Sequence, residues 1–199
     1  MKPASLLLLL NGLVPVLPAV ADDLRPAPSD SFSVMAGMNQ VLLGGANLAV
    51  QYSTEDIVVE YSHGIHLRLN DLNGIDLNRE EKNDHLTVDV PWTTGFGIGY
   101  RVTREFHVLV EFKAHRFNVT DPDGGGQVRY TTYSVGPGLF YDWTIWKGLY
   151  LEPALRWWPT VASTLPGNDH TFVRSDGTTV THHAHDWGVF PNVSIGWTF

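Results

Sequence analysis

The stretch richest in potential chemistry is Thr181-His182-His183-Ala184-His185-Asp186-Trp187, with His170 a little earlier. Neutral imidazole ligates zinc, copper or nickel, so His182, His183 and His185 are candidate metal ligands. Neighbouring residues of an extended strand point to opposite faces, so His182 and His183 cannot both serve one ion from a strand. A polar, exposed loop is the simpler account, and no metal or cofactor is expected. Protonation below about pH 6.5 would make this loop cationic. Nucleophilic chemistry fares no better. Ser62-His63 are adjacent and so face apart, which excludes a hydroxyl–imidazole dyad. Thr181 and His183 have the right spacing, but a loop threonine is a poor nucleophile. His170, Ser175 and Asp176 could be assembled into a serine-type set, as could the polar residues of many loops. Asp121-Pro122-Asp123-Gly124-Gly125-Gly126 lacks the further ligands and closing glutamate of a calcium loop and reads as a flexible turn. The chain is expected not to be an enzyme.

A second constellation is spread along the chain. Glu60, His66, Arg68, Arg101, His107, Glu111, Lys113, His115, Asp142, Glu152 and Arg156 fall on one face of alternating segments if parity is unbroken. That face offers both signs of charge, and buried charges must pair. A network of ion pairs is therefore expected, with Glu60, Glu111, Glu152 and Arg156 at its centre. A gated conduit is the alternative reading of the same residues.

The elements that must position these groups are strands. Period-two alternation begins after Pro28 and persists, and no stretch has a convincing helical period. Eight segments emerge, at about 31–40, 46–53, 57–69, 87–102, 105–119, 127–143, 149–163 and 187–199. Short connections (53–56, 103–104 and 144–148) alternate with mostly longer polar ones (70–86, 120–126 and 165–186). The later segments run 13 to 17 residues, and a tilted strand needs about 9–11 to cross a hydrocarbon layer.

Ahead of the strands, Lys2, the apolar run Leu6 to Leu17 and Ala19-Val20-Ala21 have the form of a secretory signal, with cleavage expected before Asp22. Residues 22–199 then form one domain. The chain has no cysteine, which excludes disulfides and thiol metal sites. Once Lys2 is removed, 21 acidic residues face 12 lysines and arginines. That balance argues against nucleic acid as a partner.

Both soluble and membrane barrels alternate, so the choice rests on which face is apolar. The face Leu149, Leu151, Pro153, Leu155, Trp157, Pro159, Val161 is unbroken. The opposite faces mix charge with glycine: Glu152 and Arg156, or Gly95, Gly97 and Gly99. Aromatics gather near strand ends: Tyr100, Tyr141, Trp143 and Trp197 by the short turns, Trp92, Trp157 and Trp187 toward the long loops. These are expected to form two interfacial girdles. The final segment, Trp187 to Phe199, alternates apolar with small residues and stops on an aromatic.

With these features the chain resembles the small eight-stranded outer-membrane barrels of Gram-negative bacteria (OmpA-, OmpX- and OmpW-like). The resemblance implies an all-β, antiparallel, up-and-down transmembrane barrel, monomeric, among outer-membrane lipid and lipopolysaccharide. It also implies that Ile195, Trp197 and Phe199 form the signal read by the barrel-assembly machinery. The function implied is envelope structure or surface interaction through the long loops. A narrow channel for ions or small hydrophobic solutes comes second, and a lipid A-modifying enzyme third.

Overall fold

The computed structural model describes residues 30–69 and 79–199. The expected signal segment (residues 1–21) and part of the loop from Asn70 lie outside them. Among the described residues no helix is long and apolar enough to cross a membrane.

The order is β1 (Ser31–Gly37), α1 (Met38–Leu42), β2 (Ala46–Ser53), β3 (Ile57–Leu69), α2 (Arg79–Asn83), β4 (Thr87–Arg101), β5 (Phe106–Asp121) and β6 (Gly126–Tyr141). Then follow β7 (Trp143–Trp146), β8 (Leu149–Trp158), β9 (Thr160–Ser163), β10 (Asp169–Val173), β11 (Thr179–His183) and β12 (Gly188–Thr198). Each of β1 to β5 pairs with the next, antiparallel. The ring closes through β6 with β8, β8 with β12, and β12 with β1. Eight strands thus form a closed barrel, with β7 and β9 as continuations of β6 and β8. Closure matters because a free strand edge would leave N–H and C=O groups unpaired in lipid.

The expected boundaries are corrected in four places. The first segment stops at Gly37 and turns into α1. The sixth and seventh are interrupted at Asp142 and Pro159, and proline cannot donate to a ladder. Third, β3 changes parity at His66, whose backbone has a φ of 56°. Its register with β4 is kept on either side, Ile65↔Trp92 and Leu67↔Val90, while β4 shifts register against β5 between Asp89 and Trp92, the mark of a bulge. Leu67 and Leu69 turn inward while His66 and Arg68 face out. Last, Gly188 adopts a φ of 56° just before β12. Trp187 consequently points inside, 6 % exposed, instead of joining the outer girdle.

The outward face of the lower barrel is apolar. Ile98, Val110, Phe112, Leu139, Leu155 and Ile195 are exposed on it, and Phe96 stacks on Phe112 with centroids 4.9 Å apart. This is the lipid-facing belt of a transmembrane barrel. Higher up, the amphipathicity inverts. Along β5 the outward residues change from Val110, Phe112 and Ala114 to Arg116, Asn118 and Thr120. The inward ones change from Glu111, Lys113 and His115 to Phe117 and Val119. On β6, Arg129 and Gln127 face outward while Tyr130 is buried. The strand ends therefore rise beyond the membrane as a small soluble-type barrel with an apolar interior.

That upper interior is a core of Phe117, Val119, Tyr130, Trp158, Trp187 and Phe190, joined by Phe172 and Val180 of the β10–β11 hairpin. The long loop before β12 is thus folded down over the mouth. Its turn is closed by Asp176, whose Oδ1 accepts from Thr178 N at 2.8 Å. The Asp121–Gly126 connection, read as flexible, is fixed too. Arg174 donates through Nε and Nη2 to the two Asp121 oxygens at 2.8 and 2.9 Å. Gly125 allows this approach, because a Cβ there would lie 2.8 Å from Phe172 Cβ.

Arg174, as hydrogen-bond donor, holds the Asp121 carboxyl below the usual aspartate range. A depressed folded pKa gives a contact fully present above the unfolded value of about 3.9 and lost as pH falls through the lower folded value. The protection of the β10–β11 amides, relative to their intrinsic exchange at each pH, should therefore stay constant from pH 7 to about 5 and be lost only once the pH has dropped below about 3.9. Asp121→Asn should lose that protection already at neutral pH.

Candidate functional site: a layered lumen

The inward side chains stack in layers from the short-turn end to the loop end. In the lowest, Arg101 Nη1 donates to Asp142 Oδ2 at 3.0 Å and Nη2 to Ser53 Oγ at 3.2 Å. His107 Nδ1 lies 3.9 Å from Asp142, and its Nε2 lies 4.0 Å from Glu152. Its ring stacks on Phe140 with centroids 4.9 Å apart.

The middle layer is the charge network. Arg156 reaches Glu60 and Glu111, each at 3.6 Å. Glu111 also takes Lys113 at 3.1 Å and accepts from Trp158 Nε1 at 2.9 Å. Lys113 donates to Ser62 Oγ at 2.6 Å. The Arg156 guanidinium also lies 4.9 Å from the Phe140 ring and 5.5 Å from Trp158. Gly138 makes room here: a Cβ on it would fall 2.8 Å from Glu111 Oε2. Strand periodicity delivers these groups to one place. Glu111 and Lys113 are two apart on β5, as are Glu152, Ala154 and Arg156 on β8, and all point inward.

Above the charges, His115 accepts or donates through Nδ1 to Thr93 Oγ1 at 2.8 Å. Its ring lies 5.5 Å from Trp158 and 5.3 Å from Trp187. A cavity of about 20 Å³ beside Lys113, Arg156 and Trp158 has room for a single water. The apolar core described above covers this layer.

The structure thus brings Glu60, Glu111, Lys113 and Arg156 together, and Arg101, Asp142 and Glu152 beneath them. It does not bring Arg68, whose side chain is 79 % exposed and pairs with Asp89 across the outside at 3.8 Å. Unbroken parity would carry Arg68 and His66 inward; the positive φ at His66 carries them out. Ser62 and His63 face opposite ways, as their adjacency requires.

The histidines of the last loop divide. His183 is exposed, with its Nδ1 against Asp169. His182 and His185 are buried, each with Nδ1 beside the same oxygen of Glu81, at 3.2 and 3.5 Å. The Tyr130 hydroxyl meets His182 Nε2 at 2.8 Å and accepts from His185 N at 3.0 Å. The simple picture of an exposed polar loop fails for these two. They fasten the β10–β11 hairpin and α2 to the rim. Sequence offered no signal for this, because Glu81 lies about a hundred residues earlier in the chain. Ile195, Trp197 and Phe199 face outward on β12. Phe199 N donates to Phe32 O at 2.9 Å and its ring packs 6.3 Å from that of Phe32.

No family model matches the chain, and no curated protein matches it in sequence. Among solved structures it is similar to a major outer membrane protein from Thermus thermophilus, at 14 % identity over 85 % of this chain and 99 % of that one, TM-score 0.47. It is also similar to the N-terminal β-barrel domain of Pseudomonas aeruginosa OprF, at 13 % identity over 86 % and 99 %, TM-score 0.42. A third is Ail, the attachment invasion locus protein of Yersinia pestis, at 10 % identity over 86 % and 99 %, TM-score 0.45.

Proposed function

We propose that this is a non-enzymatic barrel of a Gram-negative outer membrane, with a sealed lumen and its outer face as the working surface. The observation that carries this reading is the double closure: a buried charge network and, above it, an apolar core that includes the last loop. A side-chain-filled interior is what eight strands allow. The export signal at residues 1–21, outer-membrane lipid and lipopolysaccharide as surroundings, and a monomeric state belong to the same reading. Ile195, Trp197 and Phe199 would present the assembly machinery with its signal.

One observation favours a second reading as a narrow ion channel. Arg156 contacts two carboxylates and Glu111 two cations, so partners could be exchanged within the network. Planar-bilayer recording separates the two. The refolded mature protein is expected to leave the bilayer electrically silent. Regular current steps that change size in Glu111→Gln would favour the channel.

A further inference from the structure

We propose that the lower lumen binds one divalent transition cation through His107, Asp142 and Glu152. These residues come from β5, the β6–β7 junction and β8. Each offers one ligand atom, and the three atoms lie within 4.8 Å of one another. Some point therefore lies within about 2.8 Å of all three, so shifts of under ~1 Å would reach zinc bonds of about 2.0–2.2 Å.

Independent observations point to a cation there. Glu152 is fully buried, and neither of its oxygens meets a donor. His107 is fully buried as well, and its Nδ1 has no hydrogen-bond partner. The Asp142 and Glu152 carboxyls each bring an oxygen within 4.8 Å of the other. Two carboxylates that close in a dry interior require a shared cation or proton between them. The surrounding charge agrees. Among the described lumen residues, Glu60, Glu111, Asp142 and Glu152 face only Arg101, Lys113 and Arg156.

The ligand set selects the class of ion. One imidazole with two carboxylates suits zinc, manganese or iron better than calcium or magnesium, which prefer oxygen alone. An outer-shell group is already in place. Nδ1 faces Asp142 at 3.9 Å and Nε2 faces Glu152 at 4.0 Å, so a metal on Nδ1 requires the Glu152 carboxylate to turn toward it; Nε2 is then an N–H that Gln51, 3.2 Å away, can accept once its amide is turned. The site lies at the short-turn end beneath Arg156, so it would tie β5, β6 and β8 together at the base of the barrel.

The test uses the mature protein folded in detergent and freed of metal with EDTA. Titration with Zn(II) by calorimetry is expected to show one equivalent bound, with Mg(II) not competing. Glu152→Gln should weaken Zn(II) by about a hundredfold or more, while His182→Ala with His185→Ala should leave it unchanged. Pulsed electron paramagnetic resonance of Cu(II)-loaded wild type supplies a readout that needs no variant to fold. One coordinated imidazole is expected. No binding, binding indifferent to Glu152→Gln, or two imidazoles would overturn the proposal; the last would put the metal in the outer loop.

Discussion

Arg156→Met is expected to destabilise the folded barrel by about 3–5 kcal/mol, read as a lowered denaturant midpoint in detergent micelles. Methionine fills nearly the same space, so packing against Phe140 and Trp158 is largely kept. The charge is what disappears. Glu60 then loses the cation 3.6 Å away, and Glu111 keeps only Lys113. Removing one partner of a buried pair leaves an uncompensated charge, which costs far more than the pair itself contributed. The double variant Arg156→Met, Glu60→Gln should recover most of the loss, because the stranded carboxylate goes with the arginine while Glu111 keeps Lys113. If the single variant were as stable as the parent, the network would be wet and open, and the closed lumen would be wrong.

Phe172→Ala should release the cap, at a cost of about 3–5 kcal/mol to the docking of the β10–β11 hairpin. Phe172 is fully buried, yet it belongs to a loop. Its ring meets His170 edge-on at 4.6 Å and fills the core with Val180 above Tyr130 and Phe117. Truncation leaves a void at the mouth and weakens the Arg174 clasp beside it. Limited proteolysis should then cut between Leu165 and Asp186 in the variant and not in the parent. The membrane belt is untouched, so the barrel should keep its heat-dependent mobility on gels. Loss of the whole barrel would mean that the cap and the membrane zone fold as one unit.

Much of this was legible in the sequence because strand parity is a strict code. Glu111, Lys113 and His115 on β5, and Glu152 and Arg156 on β8, need only a count of two to be placed inside together. The C-terminal alternation likewise places β12 against β1, as the Ser33↔Thr198 register has it. Parity fails where the backbone changes hand. The left-handed backbone at His66 expels His66 and Arg68, and the positive φ of Gly188 admits Trp187. No residue type announces the first of these. The inversion above Arg116 was hidden for another reason. Alternation persists through it, and only the identity of the two faces is exchanged. The clamp of Glu81 by His182 and His185 joins distant loops, a contact that local pattern does not encode.

The absence of cysteine makes the central claim, a lipid belt below a sealed and inverted cap, open to direct measurement. Single cysteines placed along β5 can be probed in proteoliposomes with a lipid-soluble and a membrane-impermeant maleimide. Val110→Cys and Ala114→Cys should react only with the lipid-soluble reagent, and Asn118→Cys and Thr120→Cys with the impermeant one. Leu109→Cys and Val119→Cys should resist both. Reaction of Leu109→Cys or Val119→Cys with the impermeant reagent, or protection of Asn118→Cys from it, would contradict the closed, inverted barrel.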